Sequence, residues 1–261
     1  MLELAVHLAI YVMCFGASAW LSRRGRLAAL ASSSTPGRSS TTGAIVRALV
    51  LTAAIYATQG LALHYGQRLP VPDVLKDSGW NWMGKAAGVI AALAFLPILN
   101  QQERRECGLS VRLRNGWLVR SLPVVVFLVA APIFFARNAP HEAWSTDTIL
   151  FQATMPGLGE ELVYRGLMLG VLNSALLRPW RAAGVNFGPG LILTSIMFAV
   201  AHSVVLDQAG SIRVEWFTLV RTGVTGLLYG YLMEACGTLL APIAAHNLSN
   251  VGRFLFVMLA R

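Results

Sequence analysis

Apolar runs of bilayer-crossing length follow one another along almost the whole of this chain, and no other feature constrains the fold as strongly. They cover approximately residues 2–21, 44–63, 83–99, 117–136, 148–172, 188–206, 216–234 and 237–259. A spanning helix needs about 20 predominantly apolar residues. The expectation is therefore an all-α polytopic membrane protein, with about eight transmembrane helices in one bundle. Composition points the same way. The chain is 56% hydrophobic and only 13% charged, whereas soluble domains carry about 25% charged residues. The first run has no basic segment before it and is followed by Arg23, Arg24 and Arg26 rather than by a small-residue cleavage site. It reads as a retained helix ending at a basic stop.

The formal net charge of +9 would suggest nucleic acid in a soluble protein. Here most basic residues fall in short segments between apolar runs, which the positive-inside rule and anionic headgroups explain without any nucleic-acid partner. Arg23, Arg24, Arg26 and Arg38 follow the first run, Arg104, Arg105, Arg112 and Arg114 the third, and Arg178 and Arg181 the fifth. The alternate loops are mixed or acidic: Asp73, Lys76 and Asp77; Arg137, Glu142 and Asp147; Asp207, Arg213 and Glu215. This alternation predicts eight helices with both termini outside the cytoplasm. The excess of arginine over lysine hints at a GC-rich bacterial genome, hence a bacterial inner membrane. Cys14, Cys107 and Cys236 form no CxxC pair and read as a packing, a loop and a helix-interface residue. Gly226 and Gly230 sit four apart, a spacing that lets two helices approach closely. Trp80, Trp82, Trp117, Trp144 and Trp216 lie at predicted helix ends, as interfacial belts do. No second domain is evident. The chain divides only into N-terminal helices, residues 1–146 with a polar loop near 23–43, and a C-terminal four-helix core, residues 147–261.

Ionisable residues inside spanning segments are costly and usually face the bundle interior or a watery cavity. In the last four runs these positions hold Glu160, Glu161, Arg165, His202, Arg221 and His246, with the amides Asn247 and Asn250 beside the last. Glu161 and Arg165 are four apart, so they share a helix face and can pair. Glu160 stands one step, about 100°, round the helix, free to point elsewhere. Phe198 and His202 share a face, as do His246 and Asn250. Counted from the predicted helix starts, Glu160, His202 and His246 lie at similar depth, near mid-membrane, and could line one polar cavity. Taken singly, each of these residues has an ordinary reading: a satisfied core carboxylate, a hydrogen-bonded core histidine, or amide glue between helices.

The set as a whole resembles the CAAX prenyl protease and bacteriocin-processing family of intramembrane proteases, to which the Ras-converting endopeptidase belongs. That family carries Glu-Glu-xxx-Arg, Phe-xxx-His and His-xxx-Asn. This chain has Glu160-Glu161-Leu-Val-Tyr-Arg165, then Phe198-Ala-Val-Ala-His202, then His246-Asn-Leu-Ser-Asn250, complete and in order. The resemblance covers about residues 147–259.

The resemblance implies a peptidase acting on a membrane-associated protein or peptide. Glu160 would be the base that activates water, a role for which a carboxylate in an apolar cavity is suited. His202 would orient the same water or protonate the leaving amine. His246 and Asn250 would present N–H groups to the oxyanion, Glu161 and Arg165 would form a structural pair, and Phe198 would wall the cavity. A zinc enzyme with Glu160, His202 and His246 as ligands is the competing version. The chain has no HExxH, so the metal-free version is placed ahead, with no cofactor expected. Two other classes remain open: a transporter using the same groups as a proton relay, and a non-catalytic bacteriocin-immunity protein.

Overall fold

The computed structural model describes residues 42–206 and 211–259. The expected first helix, Cys14, the basic cluster Arg23 to Arg38 and Asp207 lie outside the described residues. The described chain is mostly helical, 73% helix, and a helix stands at each of the apolar runs from 44 onward. In order these are α1 (Thr42–Gly66), α2 (Trp82–Leu93), a short α3 (Gln101–Glu106), α4 (Trp117–Ala136), α5 (Thr146–Pro156), α6 (Leu169–Ala175), α7 (Pro189–Ser203), α8 (Trp216–Cys236) and α9 (Leu240–Leu259). Side-chain caps start three of them. Asn81 accepts the Gly84 N–H before α2, Asn100 forms a capping box with Glu103 before α3, and Ser145 accepts the Thr148 N–H before α5. Each cap satisfies an N–H that the first turn leaves without a partner.

Between α5 and α6 the chain does not break. Residues Gly157–Met168 form a π-helix, entered and left through α-helical backbone at Pro156 and Leu169. The i→i+5 bonds of a π-helix widen the coil, so neighbouring residues are separated by less than the 100° step expected of an α-helix. The π-helix lies at the centre of the molecule. Val163, Leu167, Met168 and Leu169 are fully buried, in one hydrophobic cluster with residues from α1, α2 and α7.

Three expectations stand differently in the structure. The first is the all-α reading, which holds for the bundle but not for its connections. Two antiparallel hairpins pair β1 (Trp180–Ala182) with β2 (Val185–Phe187), and β3 (Val204–Leu206) with β4 (Ile212–Val214). The apolar run 188–206 is accordingly helical only to Ser203. Val204 and Val205 are β-branched and favour a strand where a partner is at hand, and they pair with Val214 and Arg213. Ala183 and Gly184, both at positive φ, supply the two-residue turn whose twist matches its strands.

The second is the count of eight spans, which is met only in part. Among the described residues two helices, α1 and α4, are both long and apolar enough to cross a membrane. The segment Trp82–Ile98 and α7 are apolar but shorter, and α8 and α9 dilute their apolar content with Arg221, Glu234, His246 and Asn250. The third concerns the tryptophans. Trp80 stacks on Phe151 and donates to the Thr148 hydroxyl, and Trp82 donates to Asp147. These two dock the loop before α2 onto α5 instead of forming a lipid belt.

The outer face of α4 fits a membrane. Leu118, Val119, Leu122, Val126, Phe127, Phe134 and Phe135 are each more than half exposed, a contiguous apolar surface that water would oppose. The loops sort into two ends. At one, Arg178 pairs with Glu106, Arg114 reaches Glu234, and Asn173 donates to Glu234 at 2.7 Å. At the other, Ser78 donates to Asp147, the Glu142 N–H meets Val257 O, and Phe135 touches Phe217.

Gly226 and Gly230 face α7. A Cβ added at Gly226 would lie 3.2 Å from Ser195 Cα and 3.3 Å from the Arg165 guanidinium, and one at Gly230 would lie 3.0 Å from Leu191. Leu191 and Ser195 are themselves one turn apart, so two small residues on α8 admit two successive ridges of α7. Gly226→Leu overpacks this contact and is expected to destabilise by about 1–3 kcal/mol, read as a lower melting temperature in detergent. Gly43→Ala, where an added Cβ meets nothing within 4 Å, should not lower it. An unchanged melting temperature in Gly226→Leu would refute this packing.

Candidate active site

Glu160 and Glu161 are consecutive on the π-helix and face different partners. Glu161 and Arg165 are completely buried, and Arg165 Nη1 lies 3.2 Å from Glu161 Oε1. The arginine fork is divided: Nη2 donates to Gly226 O on α8 at 3.0 Å. Arg165 also lies over the Phe198 ring, with Cζ 4.4 Å from its centroid. One guanidinium thus ties the π-helix to both α7 and α8. Such a buried charge is tolerable because it is paired, hydrogen-bonded and stacked on an aromatic face.

Glu160 is side-on to a small polar space. Its Oε1 accepts from Lys85 Nζ on α2 at 2.5 Å. Its Oε2 lies 3.5 Å from His202 Nε2 on α7 and 3.9 Å from His246 Nε2 on α9. Both imidazoles are fixed from behind. The His202 Nδ1 lies 2.7 Å from Phe198 O, and because a carbonyl only accepts, Nδ1 carries the hydrogen. The His246 Nδ1 lies 2.7 Å from Glu161 Oε1, and the same logic places a hydrogen there. His246 therefore spans the two carboxylates, with one nitrogen on each. Tyr229 stacks on its ring, centroids 4.8 Å apart and planes 7° from parallel, and Phe198 meets the His202 ring at 4.4 Å. Glu160 and His246 are largely buried, while about a third of the His202 side chain is exposed, so the space opens past His202.

The structure brings Glu160, Glu161, Arg165, Phe198, His202 and His246 together. The route differs from the expected one. His202 lies in the last turn of α7, not at its middle, so equal depth along three helices is not what aligns them. Asn250 follows His246 by one turn, but its amide donates to Gln152 on α5 at 2.9 Å. Asn247 accepts the Gly157 N–H at 2.8 Å, where α5 passes into the π-helix. Arg221 is exposed on α8, away from this set.

Sequence reasoning missed Lys85, Gln152 and Tyr229. Lys85 carried a usable signal, being the sole charge in the apolar run 83–99. The partnership of Gln152 and the stacking of Tyr229 are tertiary and left no pattern along the chain.

A zinc ion would take Glu160, His202 and His246 as its ligands. Among the described residues no group of three His, Cys, Asp or Glu side chains is assembled as metal ligands. The carboxylate that a cation would share already carries the Lys85 ammonium on its other oxygen.

Residues 142–252 match the family model described as Type II CAAX prenyl endopeptidase Rce1-like. Over this stretch, somewhat under half of the chain, the sequence is similar to the CAAX prenyl protease family. That is a family of membrane peptidases, and the matched stretch contains all three motifs while leaving Lys85 outside it. Searches of curated proteins and of solved structures each returned no significant match.

The central ion pair can be tested directly. Arg165→Ala leaves Glu161 buried without its cation, and losing one partner of a buried pair costs about 3–5 kcal/mol. The expected outcome is a sharply lower melting temperature and folded yield in detergent. Arg165→Lys should recover only part, because a lysine cannot span both Glu161 and Gly226 O. Wild-type stability of Arg165→Ala would refute the pair.

Proposed function

We propose that this chain is an intramembrane endopeptidase that hydrolyses a peptide bond of a membrane-associated substrate without a metal. The observation that carries the proposal is the convergence of Glu160 Oε2 with the Nε2 atoms of His202 and His246, within 3.9 Å, inside the stretch that matches a peptidase family. Contacts of this length between polar groups leave room for a bridging water.

In the proposed reaction Glu160 Oε2 takes a proton from that water as its oxygen attacks the substrate carbonyl carbon. The carbonyl electron pair moves onto oxygen. The oxyanion is held by Asn250 Nδ2 and His246 Nε2. Asn250 has a second amide hydrogen beside the one it gives to Gln152, and Gln152 orients the amide. His246, neutral in the resting site, can donate at Nε2 only after taking up a proton, as the imidazolium, whose charge the Glu161 carboxylate would offset. The proton on Glu160 passes to His202 and from its Nε2 to the leaving nitrogen as the C–N bond breaks. Water is thereby divided between an acid and an amine. The His202 hydrogen bond to Phe198 O keeps Nε2 turned toward Glu160 throughout.

The family name suggests a prenylated C-terminal cysteine motif as a substrate to try first. In a bacterium the same site would suit a leader peptide or a C-terminal membrane tail. The full bundle is read as eight spans in a bacterial plasma membrane, with both termini on the non-cytoplasmic face. The sorting of Arg114 and Arg178 to one end and of Asp147 and Glu142 to the other supports that orientation. The core from about residue 147 would hold the motif residues, packed against the N-terminal helices.

Glu160→Gln, His202→Ala and His246→Ala should each lower turnover by about 10²–10⁴-fold, as loss of a positioned acid or base does, while the protein still accumulates in the membrane. The assay is cleavage of a quenched farnesylated CAAX peptide in proteoliposomes. It is backed by mass spectrometry of membrane-protein termini in cells expressing wild type or Glu160→Gln. Turnover of Glu160→Gln near wild type would remove Glu160 as the base.

Asn250→Ala should lower turnover by about 10²–10³-fold with little change in KM, and Asn250→Asp should be as poor because it sets a negative charge against the oxyanion. Chelator-treated enzyme should keep its activity, with less than one transition metal per chain by elemental analysis. Stoichiometric zinc whose removal abolishes activity and whose return restores it would overturn the metal-free mechanism.

A further inference from the structure

We infer that Lys85, on a helix outside the family match, is a positioning residue of this site: it holds one oxygen of Glu160 so that the other faces both imidazoles. The inference rests on the peptidase reading above.

His202 and His246 give their Nδ1 hydrogens to Phe198 O and Glu161, so their neutral Nε2 atoms are acceptors. Glu160 Oε2 is a third acceptor, and the three face one another. A carboxylate torsion is broad and nearly two-fold, so nothing in Glu160 itself fixes which oxygen points inward. Lys85 Nζ, 2.5 Å from Oε1, fixes it. It also balances charge. Glu161 has Arg165 and Glu160 has Lys85, so in the resting site each carboxylate has its own cation with both imidazoles neutral. Without Lys85 the carboxylate would be free to turn, and Oε2 would no longer be held facing the place a water needs.

The stem of Lys85 passes over the π-helix backbone, with Cδ 3.7 Å from where a Cβ on Gly159 would stand. Lys85 and Glu160 side chains are only 15% and 14% exposed. Lys85 is one of two lysines in the chain and lies in an otherwise apolar run. A cation is costly in such a place unless a partner requires it.

The test uses the full-length protein in proteoliposomes with the quenched farnesylated CAAX peptide. Lys85→Met keeps the packing of the stem and removes the charge. It should lower kcat on the order of 10²-fold, the scale of an ångström-size misplacement of a reacting group, while KM stays within about threefold. Lys85→Arg, with the charge restored, should recover about tenfold of that loss. A purely structural lysine would instead be read in stability, so melting is followed in parallel. Lys85→Met and Glu160→Gln should each lower the melting temperature, and the double variant should recover much of the loss, because both charges are then gone.

If wild type cleaves and Lys85→Met turns over within about twofold of it, the inference is overturned while the peptidase reading stands. If wild type cleaves nothing and no membrane-protein terminus depends on Glu160, the peptidase reading fails and Lys85 loses its role in turnover with it. Additive melting shifts would overturn the coupling of Lys85 to Glu160 whatever the activity.

Discussion

The buried pair of Glu161 and Arg165 is the interaction on which the rest of the molecule depends. Neither side chain meets solvent, and an unpaired charge in such a place would cost more than the bundle could offset. The pair solves this by recruiting neighbours. Arg165 takes a carbonyl of α8 and the face of Phe198 on α7, and Glu161 takes the Nδ1 hydrogen of His246 on α9. Satisfying one ion pair therefore fixes the relative positions of four elements. The small residues Gly226 and Gly230 make the same demand in steric form, because Arg165 reaches the α8 backbone only where a side chain is missing.

That arrangement separates two adjacent carboxylates into different surroundings. Consecutive residues on an α-helix point about 100° apart, and the smaller step of a π-helix still turns the two carboxylates toward different neighbours. Here Glu161 lies fully inside while Glu160 borders an opening beside His202. A wider coil re-aims its residues, and such segments are concentrated at functional sites. His246 then links the two environments, with Nδ1 on the buried carboxylate and Nε2 toward the accessible one. Any change in charge at Glu161 is felt at Glu160 through a single ring.

Much of this was legible from the sequence, for identifiable reasons. The helices at 42–66, 117–136, 216–236 and 240–259 follow from apolar runs, a local property that a bilayer-length window reads directly. The i,i+4 spacing of Glu161 and Arg165 foretold their pairing, because helical neighbours are set by spacing alone. The failures share the opposite character. Val204 to Leu206 leave the helix because residues 212–214 are there to pair with them. Trp80 and Trp82 turn inward because Asp147, Thr148 and Phe151 offer partners from a distant segment. Asn250 meets Gln152, a contact across about a hundred residues. His202 reaches the other site residues from the end of its helix, so counting residues from helix starts did not measure depth.

Lys85 shows most clearly where reading by family motif stops. The three motifs lie between residues 160 and 250 and divert attention from everything before them. Yet the cost of a charge in an apolar run does not depend on which half of the chain carries it. Applied evenly, that rule selects Lys85 as readily as Glu160, and the two prove to be each other's partner at 2.5 Å. The N-terminal helices are then more than a frame around a self-sufficient core. One of them supplies the cation that accompanies Glu160, so the C-terminal stretch alone would expose that carboxylate without its counter-charge. A boundary drawn near residue 147 follows the motifs, whereas the electrostatics of the site run across it.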